Sequence, residues 1–197
     1  MNQQVIIDFF NKAAAYWDDI AYDNSEKINK ILEFSDIREN SSVLDVACGT
    51  GVLTPFLLKR KVSRITGIDI SPEMINAAKA KYTQYNNVEF INISAEDIDF
   101  DKKFDRIIIF DAFPHFCNKE KVIKKMAKHL KPDGRLTIAH SMGRKQLDEL
   151  HKKTAGQVSD KMVSGNELAE MLSTDFLADI IIDNEDIFIV SATPKLP

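Results

Sequence analysis

Between Val43 and Ala192, short runs of branched apolar residues alternate with stretches whose apolar positions recur at helical spacing. That alternation is the tightest constraint on what this chain can fold into. The runs are Val43–Ala47, Arg64–Ile70, Val88–Ile93, Phe104–Phe110 and Arg135–Ala139. Ile107, Ile108 and Ile109 form the unbroken apolar stretch expected of a strand buried on both faces. Between the strands, helices are predicted over Val52–Lys59 and from Ser71-Pro72-Glu73, where Ser caps, Pro opens the first turn and an acid faces the dipole. A further helix starts at Asn118 and carries the stripe Val122, Ile123, Met126, Ala127 and Leu130. Lys131-Pro132-Asp133-Gly134 then predicts a turn into the fifth strand. Gly143–Lys153 and Asn166–Leu172 read as helices. Phe176–Ile182, a tight Asp183-Asn184 turn and Ile187–Ala192 read as a closing hairpin. Strand–helix alternation requires a mostly parallel sheet with right-handed crossovers and helices on both faces, and the hairpin makes the last strand antiparallel.

Ahead of this region, Val5, Ile6, Phe9, Phe10, Ala13, Tyr16 and Trp17 share one helical stripe. A second helix is expected over Glu26–Phe34, with Ile28, Ile31 and Leu32 buried. Asp18 to Ser25 between them reads as a polar, acidic loop. The 197 residues hold no internal repeat, low-complexity stretch or linker, so the chain divides only into an N-terminal segment, 1–24, and a main domain, 25–197. A net charge of −4 disfavours nucleic acid and anionic membranes as partners. Lys59-Arg60-Lys61 and Lys124-Lys125 read as solvated helix faces. Two cysteines are too few for a disulfide framework, and no apolar run is long enough to span a bilayer, so a cytoplasmic location is expected.

The first strand runs into Cys48-Gly49-Thr50-Gly51. Glycines there let backbone approach a ligand more closely than a Cβ would permit. In open α/β sheets such loops sit where ligands bind, outside the strands' carboxyl ends. Asp69 ends the second strand at the distance where an acid meets ribose hydroxyls, and Ser94-Ala95-Glu96-Asp97 follows the third, where polar groups frame an adenine edge. A nicotinamide dehydrogenase would need a third glycine where Thr54 stands.

Val43–Gly51 resembles the first motif of class I S-adenosylmethionine-dependent methyltransferases. Ile68–Met74 resembles their second, and Leu130–Leu136 the turn before their fifth strand. The likeness runs from about Glu26 to Ala192 and is nearest to the subgroup that methylates small metabolites, quinone-biosynthesis enzymes included. It implies a Rossmann-like, seven-stranded α/β sheet and S-adenosylmethionine as cofactor. It also implies contacts from Asp45, Ala47, Gly49 and Gly51 to the methionine part, from Asp69 to the ribose and from Ile70 to the adenine. Ser94 stands where the family often has an adenine-binding Asp; Ala95, Glu96 and Phe110 complete the expected cofactor set. The leading segment, with Tyr16 and Trp17, is expected to fold over the cofactor and acceptor as a lid. A cofactor-binding sensor or partner subunit without catalysis is the alternative, and a protein methyltransferase is disfavoured by the lack of a docking domain.

Methyl transfer needs an aligned acceptor, exclusion of water and removal of a proton where the acceptor carries one. The small-molecule acceptor is therefore expected over the ends of the fourth and fifth strands, beside Phe113, His115 and Phe116 and beside His140. His151 lies on the following helix. His115 and His140 are the candidate bases; Phe113 and His151 are candidate acceptor contacts. A metal held by His115, His140 and His151, with Asp160, is a further possibility, although the spacing fits no established zinc pattern. His129, ahead of the Lys-Pro-Asp-Gly turn, is expected at the surface.

Overall fold

Strands form where the branched apolar runs lie, and they assemble in the order β3-β2-β1-β4-β5-β7-β6. In this computed structural model, which describes residues 1–19 and 24–195, they are β1 Ser42–Val46, β2 Arg64–Asp69, β3 Val88–Asn92, β4 Phe104–Phe110, β5 Leu130–His140, β6 Phe176–Asp183 and β7 Phe188–Pro194. The first five are mutually parallel, and β7 runs antiparallel to both β5 and β6. The order reverses between β1 and β4. This is the place where a sheet of this kind opens a crevice at its carboxyl ends.

Helices α1 Gln3–Ala13, α2 Ser25–Phe34, α3 Thr54–Lys59, α4 Pro72–Lys81, α5 Lys119–His129, α6 Arg144–Thr154 and α7 Gly165–Leu172 pack around the sheet. On one face Val122 and Met126 of α5, Leu147 of α6 and Leu168 of α7 meet Val46, Ile107, Ile109 and Ile138. On the other, Ile28 and Leu32 of α2 and Leu57 of α3 meet Val43, Ile65 and Ile108, while Ile75 and Ala78 of α4 meet Cys48 and Phe90. The period of two in β4 thus serves both layers, which is why three consecutive isoleucines are fully buried. Helix starts follow their side chains: Ser71 accepts the Met74 N–H and Ser164 forms a reciprocal box with Glu167.

Three expectations are corrected. Lys131 to Gly134 is no turn before the fifth strand; β5 begins at Leu130, opposite Phe104, and those four residues bulge out before Arg135 pairs with Arg106. The hairpin is not closed by Asp183-Asn184 alone, because 184–187 connect the strands and the Asn184 side chain accepts the N–H groups of Asp186 and Ile187. His129 is buried rather than at the surface. Its Nε2 accepts the Phe100 N–H at 2.9 Å while Nδ1 donates to the Lys125 carbonyl at 2.7 Å, so it ties α5 to the segment after β3. Residues 20–23 of the acidic loop read from 18–25 lie outside the described residues. Among the described residues no helix is long and apolar enough to cross a membrane.

Ile107→Ala should destabilise the chain by about 3 kcal/mol, because the lost methyl groups leave a cavity that the helical layer packed on that face cannot close. Urea unfolding should show a lower midpoint with an unchanged slope.

Candidate active site

The loop after β1 turns in a way most residues resist. Ala47, Gly49 and Gly51 all have φ in the left-handed region, at 57°, 54° and 83°. What holds this turn is the acid at the end of β2. Asp69 accepts the Gly49 N–H at 2.9 Å with Oδ2 and the Ser71 N–H at 2.8 Å with Oδ1. Burial pushes its pKa up to about 6, against those stabilising amides. Each oxygen keeps a second lone pair for a ribose hydroxyl.

Asp45 stands beside it at the end of β1, 2% exposed, and its Oδ2 has no hydrogen-bond partner among the described residues. Desolvation, then the neighbouring Asp69 charge, pushes Asp45 up to about 7. An orphaned buried carboxyl oxygen beside a loop of left-handed glycines fits a cationic ligand with an amino group and a sulfonium centre. Asp45, Gly49, Gly51 and Asp69 are brought together at the ends of β1 and β2. Ile70, with Phe9 and Phe10, packs against the buried cluster of Ile6, Ala155 and Val158. Ser94 accepts the Glu96 N–H, and Glu96 in turn accepts the Asn118 N–H at the start of α5. Ala95 is buried in the core, and Phe110 packs toward α2.

The N-terminal segment lies over this loop. Trp17 Nε1 is 3.6 Å from where a Cβ on Gly49 would stand. Asp18 accepts from Thr50 Oγ1 at 2.6 Å and pairs with Lys81 at 2.7 Å, and Asn11 accepts from Ser71 Oγ at 2.7 Å. Phe10 packs edge-on against Trp17, with centroids 5.7 Å apart, and against His115 at 5.2 Å. Phe10, Asn11 and Asp18 were not singled out from the sequence. Phe10 read as one more member of an apolar stripe, and only the partners across the fold distinguish it. Tyr16, by contrast, is 49% exposed.

At the other end of the crevice, Asp111 follows β4 with φ 51° and accepts from Ser141 N and Oγ, at 2.7 and 2.8 Å, locking the corner after β5. His140 is fully buried there, its Nδ1 3.3 Å from Asp111 Oδ1, with neither nitrogen hydrogen-bonded among the described residues. His115 and His151 face each other with ring centroids 5.0 Å apart. Burial lowers both, His115 to about 4. Phe113 is fully buried in the core against Phe116 rather than facing the crevice. Asp160 pairs with Lys119 at 2.6 Å instead of approaching the histidines. Among the described residues no group of three His, Cys, Asp or Glu side chains is arranged to hold a metal ion.

Residues 37–187 match the family described as a methyltransferase domain. A malonyl-[acyl-carrier protein] O-methyltransferase of Acetivibrio thermocellus is 32% identical over 154 residues, covering 77% of this chain and 54% of the relative. One from Priestia megaterium is 31% identical over 155 residues, covering 77% and 56%. The chain thus spans little more than half the length of these two curated relatives. Among solved structures, N-methyltransferase NodS from Bradyrhizobium japonicum with S-adenosyl-L-homocysteine superimposes with a TM-score of 0.77 at 16% identity, covering 97% of this chain and 99% of that one. A chain from the complex between the Haloferax volcanii Trm112 methyltransferase activator and a methyltransferase does so at 0.80 and 20%, covering 95% and 98%. These two likenesses show the fold. This chain belongs to the class I S-adenosylmethionine-dependent methyltransferases, with S-adenosylmethionine as its cofactor.

Gly49→Val should leave the circular dichroism spectrum close to wild type. Its backbone strain costs about 1–3 kcal/mol, while the added methyl groups abolish S-adenosylhomocysteine binding in a calorimetric titration. Retained binding would make the loop only a turn.

Asp45→Asn should stabilise the ligand-free chain. The folded pKa of Asp45 is raised, so the wild-type carboxyl loses stability as pH rises from its unfolded value of 3.8 through about 7. The gain over wild type in urea unfolding should be near zero at the acid end of that window and reach its full size above it.

Proposed function

We propose that this chain transfers a methyl group from S-adenosylmethionine to a small-molecule acceptor lying between the N-terminal segment and the ends of β4 and β5. The observation that carries this reading is an unbroken line of contacts. Trp17 covers Gly49, Phe10 packs on Trp17, and His115 packs on Phe10. It joins the glycine loop to a half-buried imidazole through side chains that exclude water. Kinship with two O-methyltransferases over three-quarters of the chain supports methyl transfer as the reaction.

In this reading Asp45, Ala47, Gly49 and Gly51 receive the methionine part, Asp69 the ribose hydroxyls, and Ile70, Ser94 and Glu96 the adenine side. Of the segment 1–24, the described residues 1–19 form the lid. Asn11 and Asp18 latch it to α4 and to the glycine loop, and Trp17 lies on its inner face. The cofactor, when bound, supplies a methyl group on a sulfonium centre. The protein supplies alignment and a place for the acceptor's proton, which we assign to His115 with His140 behind it. Two unpaired cysteines, Cys48 and Cys117, support a reducing compartment such as the cytoplasm.

His115→Gln should lower turnover with labelled S-adenosylmethionine and a metabolite pool by about a hundredfold, while S-adenosylhomocysteine affinity stays within error. His115 is neutral down to about pH 4, so the acid limb of the wild-type rate profile should lie near that value. A limb at the ordinary histidine pKa would remove it as the base. No labelled product from any pool, with the cofactor analogue bound, would favour a sensor.

A further inference from the structure

The polar groups at the acceptor end of the crevice are arranged to take hydrogen bonds and not to give them. His115 Nδ1 lies 2.7 Å from the Val158 carbonyl oxygen. A carbonyl only accepts, so this nitrogen carries the ring's proton. His151 Nδ1 lies 2.6 Å from Ser159 Oγ, and that hydroxyl donates its own proton to the Asp160 carbonyl at 3.0 Å. Nδ1 is therefore the protonated nitrogen of His151 as well. Both rings are held neutral by burial, so each presents Nε2 as a bare lone pair on the side away from the 158–160 segment.

The surrounding charges point the same way. Lys119 is committed to Asp160 at 2.6 Å and to the Phe116 carbonyl at 3.1 Å, and Arg144 to both oxygens of Asp183 at 2.8 Å. His151 faces the carboxylate of Asp111 from the residue after β4 and, from its own helix, Asp148, which accepts the Met162 N–H; both rings face His140 from β5. From α1 His115 meets the apolar ring of Phe10. An anionic acceptor entering here would meet lone pairs and carboxylates, with no uncommitted lysine or arginine beside the pair among these groups. Such a charge, stripped of water, is strongly disfavoured.

We infer that the acceptor is an uncharged O–H or N–H compound that donates to Nε2 of His115 or His151, and that carboxylates are excluded. This rests on the methyltransferase reading above. Balance follows directly. The acceptor's lone pair bonds the methyl carbon, the carbon–sulfur pair returns to sulfur, and the acceptor's proton passes to Nε2 and on to water. A carboxylate has no proton for Nε2 to receive, and the pocket would offer its charge no donor.

Nitrogen NMR of the full chain, labelled at histidine and saturated with S-adenosylhomocysteine, tests this with catechol and benzoate as matched probes. At neutral pH both rings should be Nδ1–H tautomers, and catechol should shift their Nε2 signals where benzoate does not. His151→Arg, at a half-buried position, should reverse the preference and bind benzoate at least about tenfold more tightly than wild type. Nε2–H tautomers or imidazolium rings, no response to catechol, or benzoate bound at least as well as catechol would each overturn the inference. Failure to bind S-adenosylhomocysteine would appear before any probe is added, and would overturn the cofactor reading and this inference together.

Discussion

One buried carboxylate organises the cofactor half of this protein. Asp69 takes the Gly49 N–H with one oxygen and the Ser71 N–H with the other, joining the loop after β1 to the cap of α4. With the Gly51 N–H to the Cys48 carbonyl and the Tyr82 hydroxyl to the Gly51 carbonyl, that bridge holds the loop in which Ala47, Gly49 and Gly51 are left-handed. The bridge costs desolvation, visible in the raised pKa of Asp69 and in its electrostatic pressure on Asp45. Charge stored in this way suits a site whose ligand arrives with positive charge of its own.

The N-terminal segment depends on the same bridge at one remove. Asn11 accepts from Ser71, the residue whose amide Asp69 holds, and Trp17 rests on Gly49, whose amide it also holds. A change at Asp69 therefore reaches the cover of the site as well as its floor. Phe10 carries the contact on to His115, so cofactor loop, cover and histidine pair form one packed sequence of side chains.

The other end of the crevice is organised by a second corner, where Asp111 clamps Ser141 through both oxygens. This clamp accounts for a left-handed aspartate at the end of β4 and for a buried His140 at the end of β5. The histidines do not converge as metal ligands would. Two of them are instead tethered through Nδ1 to a segment between α6 and α7, which fixes their tautomers.

The sheet was legible because periodicity is a property of neighbours in sequence. Runs such as Ile107–Ile109 can be satisfied only between two helical layers, and the closing hairpin allowed only an antiparallel last strand. The cofactor loop was legible for a like reason, since glycines following a strand, and an acid ending the next, are local signals. His129 misled because its partner, the Phe100 amide, is far away in the chain, and so did the turn at Lys131–Gly134, which became a bulge once β5 had β4 to pair with. Asn11 carried no sequence signal, Phe10 only that of an apolar stripe and Asp18 only that of an acidic loop. Which nitrogen of each histidine bears the proton, and which acid meets which cation, depended on contacts between residues distant in sequence. Sequence by itself determined the layers and the glycine loop; only the tertiary structure decided the histidine end of the crevice, because hydrogen bonding and desolvation are set by neighbours in space.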